Sequence, residues 1–517
     1  MKLVLGRGFL LIVMLALVLV PLGPSSAQQP RRGGALRIAT TGEPPTLDQH
    51  WTTAVITRDI MNNVNEGLFA LNGRFEPRPV LVDRWTMSAD RLSYTFTLRR
   101  GVKFHNGKEL TSDDVKASLE RWGRIATRGR ILFGAVAALT TPDPLTVVIR
   151  LREPYGLLIL ELGFFGQAPM IFPKEVVEEA GPGPLRRFIG TGPYRFVEYL
   201  PDRHVRLDRF EGYAGRPEEP DGATGRKHAH LDSIYFIPVP EPATRIAGVK
   251  RGEYQFADSI PHDEYDRLRA DRDLVPVIAK NPRWLTVVFN HRAGLMTNQK
   301  IRQAFKAALD HEAVMRAAFG PTQFWRLDPG LMAKEHYMWT DAGKDLFNQR
   351  NPGRARQLRS ESGYRGEPIR WLTTMEMAEL GTSAQVAKPM LEQAGLAVDL
   401  QVMDWATLVA RRARPELWDV FSTSHSHQPD PAILLTLQPT WFGWYDHRDM
   451  RAMITLLRRH ADPSVRRDLW SRMQKLWYED AASIKFGDFF PLYLHRRDLK
   501  GYVSGFTHIW WNVWLDR

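Results

Sequence analysis

"FTLRRGVKFHNGKELTSDDVKAS", residues 96–118, packs an alternating strand, two turns and a helix start into one short span. Tyr94, Phe96 and Leu98 alternate with Thr95 and Thr97, the period of a strand buried on one face. Gly101 turns the chain, and Val102 to Phe104 form a second short extended piece. "HNG" at 105–107 reads as a hairpin-type turn, because Asn and Gly tolerate positive φ. Thr111 or Ser112 then caps a helix whose first turn carries Asp113 and Asp114, where carboxylates face the positive end of the helix dipole. Val115 and Leu119 lie one turn apart. The span holds no catalytic side-chain constellation, so its role is expected to be geometric.

Outward from this stretch, "PDPLTVVIRLREP" reads as a turn and a strand, and "IGTGPYRFVEY" as a Gly-rich turn feeding another strand. "NQKIRQAFKAALDHEAVMRAAF" reads as one amphipathic helix with Ile301, Phe305 and Leu309 on one face. The clearest supersecondary signal runs from 368 to 424. "IRWLTT" is extended, Gln385 to Gln393 is helical and ends at Gly395, "AVDLQVM" is extended, Trp405 to Arg412 is helical, and "WDVFSTS" is extended. Such a β-α-β-α-β series implies parallel strands joined by right-handed crossovers. Open sheets of this kind bind ligands beyond the carboxyl ends of their strands. That places a site at Thr373 to Met375, Met403 to Trp405 and "STSHSHQPDP", residues 422–431. "AGRPEEPDGATG" at 214–225 is expected to be a surface loop rather than a linker.

The first 27 residues are expected to be a cleaved signal peptide. Lys2 and Arg7 precede an apolar run from Phe9 to Val20, and Ser25 and Ala27 occupy the small-residue positions before a cut after Ala27. That run is too short to span a bilayer. The chain has no Cys, so no lipidated cysteine or disulfide supports it, and a bacterial periplasm fits. The 490 residues left of 517 exceed what one core usually supports, which implies two or more domains. The formal charge of +12 falls to +10 without Lys2 and Arg7. The basic residues are interleaved with acids, as in "RRFIGTGPYRF" and "ARRARPELW", so a solvated surface is expected rather than a nucleic-acid site.

Motifs for familiar chemistry are absent. There is no Gly-x-x-x-x-Gly-Lys-Ser/Thr phosphate loop and no Gly-x-Ser-x-Gly nucleophile elbow. "HEAVM" at 311–315 begins like a zinc-protease helix, but Met315 stands where the second histidine belongs. His425 and His427, two apart in an extended segment, face one side and are candidates for a metal or an anionic ligand. The alternative is that they are solvated or hydrogen-bonded, and the same holds for His228 and His230. Of 16 Trp, most are expected in cores, and a few in a cleft.

"YTFTLRRGVKFHNGKELTSDDVKASLER" resembles the signature segment of the family 5 extracellular solute-binding proteins, the peptide- and nickel-binding components of bacterial ABC importers. "GGALRIATTGEPPTLDQH" is similar to the family's N-terminal strand and Leu-Asp-Pro turn, with Gln49 in place of the usual Pro. "VIRLREPY", "IGTGPYRFVEY", "IRQAFKAALDHEAV" and "WDVFSTSHSHQPDP" follow in the family's order. The resemblance implies an α/β, two-lobed periplasmic binding protein (type II, large cluster with an extra subdomain) whose lobes are joined by two crossovers. Lobe I would comprise 28–282 and 490–517, with the extra subdomain at about 65–190, and lobe II 283–489. "IWWNVW" would pack on the first lobe.

Function by resemblance is that of a periplasmic, monomeric receptor enclosing a peptide or peptide-like solute for an inner-membrane permease and its ATPase subunits. Neither enzyme activity, a cofactor nor nucleic acid is expected. Glu43 matches an acid that approaches the ligand in oligopeptide-binding relatives, and Thr46 belongs to the same turn. Relatives place an aspartate for the peptide amine shortly before the later Asp-Pro pair, where this chain has His427 and Gln428. Glu43 or Asp430 then compensates, or the ligand lacks an ordinary free amine. The expected ligand contacts are Glu43, Thr46, Thr374, Met375 and Trp405, with Ser424, His425, Ser426 and His427 on the last strand. The alternatives are a nickel-chelate receptor using His425 and His427, an opine-type receptor, a secreted hydrolase, and a periplasmic chaperone or sensor.

Overall fold

The computed structural model describes residues 29–460, 462–505 and 507–516; the segment read as a signal peptide lies outside the described residues. The alternation around Phe96 produces the strand Ser93–Leu98, with Tyr94, Phe96 and Leu98 buried and the intervening residues partly exposed. It is an inner strand of a four-stranded antiparallel sheet with Val82–Met87, Thr146–Leu151 and Val136–Asp143. The helix that follows, Ser112–Ile125, opens on a capping box in which the Thr111 amide and hydroxyl both donate to Asp114 Oδ2, at 2.9 and 2.8 Å. Asp114 also accepts from Lys108 Nζ at 2.6 Å and from the Lys174 amide at 2.8 Å. One buried carboxylate thus ties the 105–107 turn to two helices.

Two larger sheets frame the molecule. The seven-stranded sheet centres on Ala35–Thr40, parallel to Ser233–Pro238 and to Phe256–Ala257. The six-stranded sheet contains the expected parallel unit: Ile369–Thr373 runs alongside Val398–Val402, with Ile369 opposite Val398, and alongside Val420–Ser426. The chain leaves the first sheet after Leu274–Ile278, enters the second at Arg283–Phe289, and returns from Ser483–Phe489 to Leu492–Arg496. Two short connections therefore join the two sheet bodies. Trp510, Trp511 and Val513 pack in the core of the first, with Leu36, Ile38 and Phe256.

Two sequence expectations change. The span 299–319 forms two helices, Gln299–Ala308 and His311–Phe319, because Asp310 accepts from the Ala313 amide at 3.2 Å and starts a new N-terminus. The helix expected at Gln385 begins at Ala378. Gly381 permits the earlier start, since a Cβ there would lie 2.0 Å from Met375 Sδ and 2.9 Å from the Thr374 carbonyl oxygen.

The small sheet also reaches the second body. Its apolar core is continuous with Ile433, Leu434, Trp470 and Trp477. Arg128 crosses the same boundary, donating to Gln428 Oε1 at 2.9 Å and to the Ile433 carbonyl at 2.8 Å.

Candidate ligand-binding cleft

The turn after Ala35–Thr40 is held by Asp48, which is fully buried. Its carboxylate accepts from Arg121 at 3.2 and 2.5 Å, from the Leu185 amide at 2.9 Å and from the His50 amide at 3.0 Å. Gln49, where the family's Pro was expected, donates to Asn62 Oδ1 at 2.7 Å and accepts from Asn65 Nδ2 at 2.8 Å. Fixed in this way, the turn brings Gly42 and Glu43 to the cleft between the sheet bodies. A Cβ on Gly42 would lie 2.8 Å from Glu376 Oε2 on the other body, so the two sides approach closely here.

From the second body the strand ends Thr373, Val402 and Ser426 lead into the same space, as the strand-end rule requires. Asp404 caps the helix Trp405–Arg411 by accepting from the Thr407 amide at 2.8 Å, and Arg412 follows as its C-cap. Both Trp405 and Arg412 line a cavity of about 120 Å³, which is also reached by Thr53, Phe164 and Trp441. Arg412 Nη2 bridges the cleft to Thr53 Oγ1 at 3.4 Å.

The cavity is rich in ionised groups. Arg58 donates to Asp59 at 3.1 Å, lies 5.0 Å from the Phe165 ring centre and is held below its ordinary pKa by burial. Arg128 lies 4.1 Å over the Phe164 ring, and burial, partly offset by Glu161, lowers it to about 10. Burial alone lowers Arg412 to about 10. Burial would raise Asp258, but the His508 imidazole 3.6 Å away, with Arg283 and Arg245, outweighs it and holds it at about 2. Glu376 is raised by burial and by the like charges of Asp404 and Glu43.

Of the residues expected at the site, Glu43, Trp405, Ser424, His425 and Ser426 line this cavity. Glu43 turns both oxygens to its own body, accepting from Tyr199 OH and, at 2.7 Å, from the Asp202 amide. Thr46 accepts from the Asp48 amide at 3.2 Å and shapes the turn behind the cavity. Thr374 is buried and accepts from the Glu376 amide at 3.2 Å, while Met375 is 43% exposed and does not line the cavity. The two histidines do not act together. His425 lies against Trp284 and Trp441, with ring centres 4.5 and 5.1 Å away, whereas His427 packs between Phe75 and His336 and lines a small neighbouring cavity. Burial lowers each to about 3, so both are neutral at neutral pH. Among the described residues no group of three His, Cys, Asp or Glu is placed to hold a metal ion. Asp430 is taken up by Arg466 and by the Ala432 amide at 2.9 Å, which leaves it no role as an amine partner.

Sequence reading did not single out Arg58, Arg128, Asp258, Arg283, Glu376 or Arg412. The arginines occur among many scattered basic residues, and nothing in their spacing marks them; Trp441 had a signal only as one of the clustered aromatics in "TWFGWYDH".

Residues 76–443 match a family model described as bacterial extracellular solute-binding proteins, family 5 Middle. A probable peptide ABC transporter periplasmic-binding protein, y4tO of Sinorhizobium fredii, is 28% identical over 482 residues, covering 89% of this chain and 90% of that protein. The fold is similar to the oligopeptide-binding protein AppA of Bacillus subtilis in complex with a nonapeptide (TM-score 0.82, 19% identity, 95% of this chain and 100% of that one). It is also similar to the binding protein AgaA of Agrobacterium tumefaciens R10 in complex with agropinic acid (TM-score 0.80, 20% identity, 94% and 99%). One architecture thus holds ligands of very different size, and its likeness fixes the fold alone.

Proposed function

The chain belongs to the bacterial extracellular solute-binding proteins, family 5, and from that premise we propose that it is the periplasmic receptor of an ABC importer for a small peptide-like solute. The observation that carries this reading is the cleft itself: side chains from both sheet bodies line one cavity and meet across it at Arg412–Thr53 and Gly42–Glu376. A solute held there is enclosed by two bodies whose chain crosses between them at two short connections, the arrangement of hinge closure. The closed form is what a permease would recognise, and the solute is released unchanged. One feature supports binding rather than catalysis. Ser424 and Ser426 flank His425, but His425 Nε2 has no hydrogen-bond partner and so activates neither hydroxyl.

The test is a thermal-shift screen of the mature chain against dipeptides, tripeptides, glutathione, opines and nickel chelates. A cognate solute at 100 times its Kd adds about 2.7 kcal/mol and raises the unfolding temperature by several degrees. A response to nickel chelates alone, or turnover of a peptide or ester panel, would contradict the proposal.

A further inference from the structure

The hairpin Phe69–Leu71 and Pro77–Pro79 turns at residues 72–76, and the strain of that turn falls on its one aromatic residue. Phe75 has φ of +63°, in the left-handed region that a bulky side chain rarely enters. Asn72 fixes this conformation. Its Oδ1 accepts from the Arg74 amide at 3.0 Å and the Glu76 amide at 2.9 Å, and its carbonyl accepts from the Phe75 amide at 3.0 Å. The 214–225 loop braces the turn: Asp221 accepts from the Gly73 amide at 2.9 Å, and the Ala223 amide donates to the Leu71 carbonyl at 3.0 Å. Gly222 permits this approach, since a Cβ there would lie 2.6 Å from the Asn72 carbonyl carbon. Beyond residue 225 the chain runs into Ser233–Pro238 of the seven-stranded sheet, which ties the braced turn to the first body.

From there Phe75 reaches the second body. Its ring meets that of His427 edge to face, with centres 5.0 Å apart. His427 is buried and is held within its own body by the Ala333 amide, which donates to Nδ1 at 3.4 Å, and by the His336 ring, whose centre is 5.2 Å away. Arg128 binds the neighbouring Gln428, so the same corner of the second body is gripped twice. Neither Phe75 nor His427 lines the solute cavity. A strained residue persists where the surrounding structure over-determines it, and here that structure aims one ring at the other body.

We infer that the 72–76 turn is a latch on the cleft: Phe75 seats against His427 when the two bodies shut, and slows release of the enclosed solute without touching it. This rests on the receptor reading above and adds to it a contact, remote from the solute, that sets how long the closed form lasts. An edge-to-face ring pair lengthens that lifetime by about tenfold. The braced backbone holds the ring where closure meets it, so little conformational freedom is lost when the pair engages. The 214–225 loop thereby has a task, since without its brace the strained turn would relax.

The test is stopped-flow Trp fluorescence on the mature chain with glutathione and dipeptides as probes. Phe75→Gly deletes the ring at a φ that glycine adopts without strain. It is expected to speed probe dissociation about tenfold while association changes by less than about twofold, and Phe75→Tyr, which keeps the ring, should retain the slow rate. An unchanged dissociation rate in Phe75→Gly, or an equal acceleration in Phe75→Tyr, would overturn the inference. A second measurement needs no solute. Because the chain has no Cys, Phe75→Cys combined with His427→Cys gives one thiol on each body for a short bifunctional thiol reagent. Bridging the two should lower the radius of gyration of the solute-free chain in small-angle scattering, because it captures the shut form. A pair that does not bridge, or a bridged chain with an unchanged radius of gyration, would overturn the inference. If no probe binds the wild type, the peptide reading fails, and the bridging result decides the inference by itself.

Discussion

His311 is buried between Phe347 and Phe486, and neither ring nitrogen has a hydrogen-bond partner. Burial, and after it the charge of Lys306, lowers its pKa from 6.5 to about 3. The folded value lies below the unfolded one, so the unfolded chain binds the extra proton between these limits. Stability is therefore lost as pH falls from about 6.5 toward 3. His311→Leu should raise the urea midpoint at pH 5 more than at pH 7.5; an equal shift at both would contradict this. The "HEAVM" motif is thus a packing feature, and its failure as a zinc helix was legible from Met315 alone. Arg412 was not legible in the same way. It stands one helix beyond the strand end that the topology rule marks, and its lack of an acid partner depends on which side chains the fold brings near. The same limit hid the fate of Asp430, whose partner Arg466 lies 36 residues away.

At the scale of elements, the stretch around Asp114 was read almost completely from sequence, because its strand, turn and cap are set by neighbours within a few residues. What sequence did not give is how it is anchored. His105 N donates to the Gly190 carbonyl at 2.9 Å and its Nε2 contacts the Gly192 carbonyl at 3.0 Å, joining the "HNG" turn to "IGTGPY". Asp114→Ala removes a buried carboxylate with four donors and leaves Lys108 with Glu175 alone. It should cost about 3 kcal/mol in denaturant unfolding, and a cost below about 1 kcal/mol would place the cap outside the cooperative core. The helix break at Asp310 shows the opposite case. Its apolar period runs through both helices, so the pattern predicts one, but the Asp310 side chain competes for the amides of a new first turn.

For the whole molecule, the division into two sheet bodies followed from chain length and from resemblance; the cleft charges did not, because they come from segments hundreds of residues apart. Closure depends on the close approach at Gly42. Gly42→Val would place side-chain atoms against Glu376 and hold the bodies apart, lowering solute affinity by about 10-fold or more as the closed form becomes rarer, with little change in unliganded stability. Equal affinity would mean that the bodies need not meet at this point. The central claim is that the two bodies shut on a solute. Because the chain has no Cys, Arg203→Cys and Val402→Cys place one spin label on each body of an otherwise label-free protein. Pulsed electron–electron double resonance should then give a broad or longer distance distribution for solute-free protein and a single shorter one with saturating solute. Identical distributions with and without a solute that binds would contradict the account.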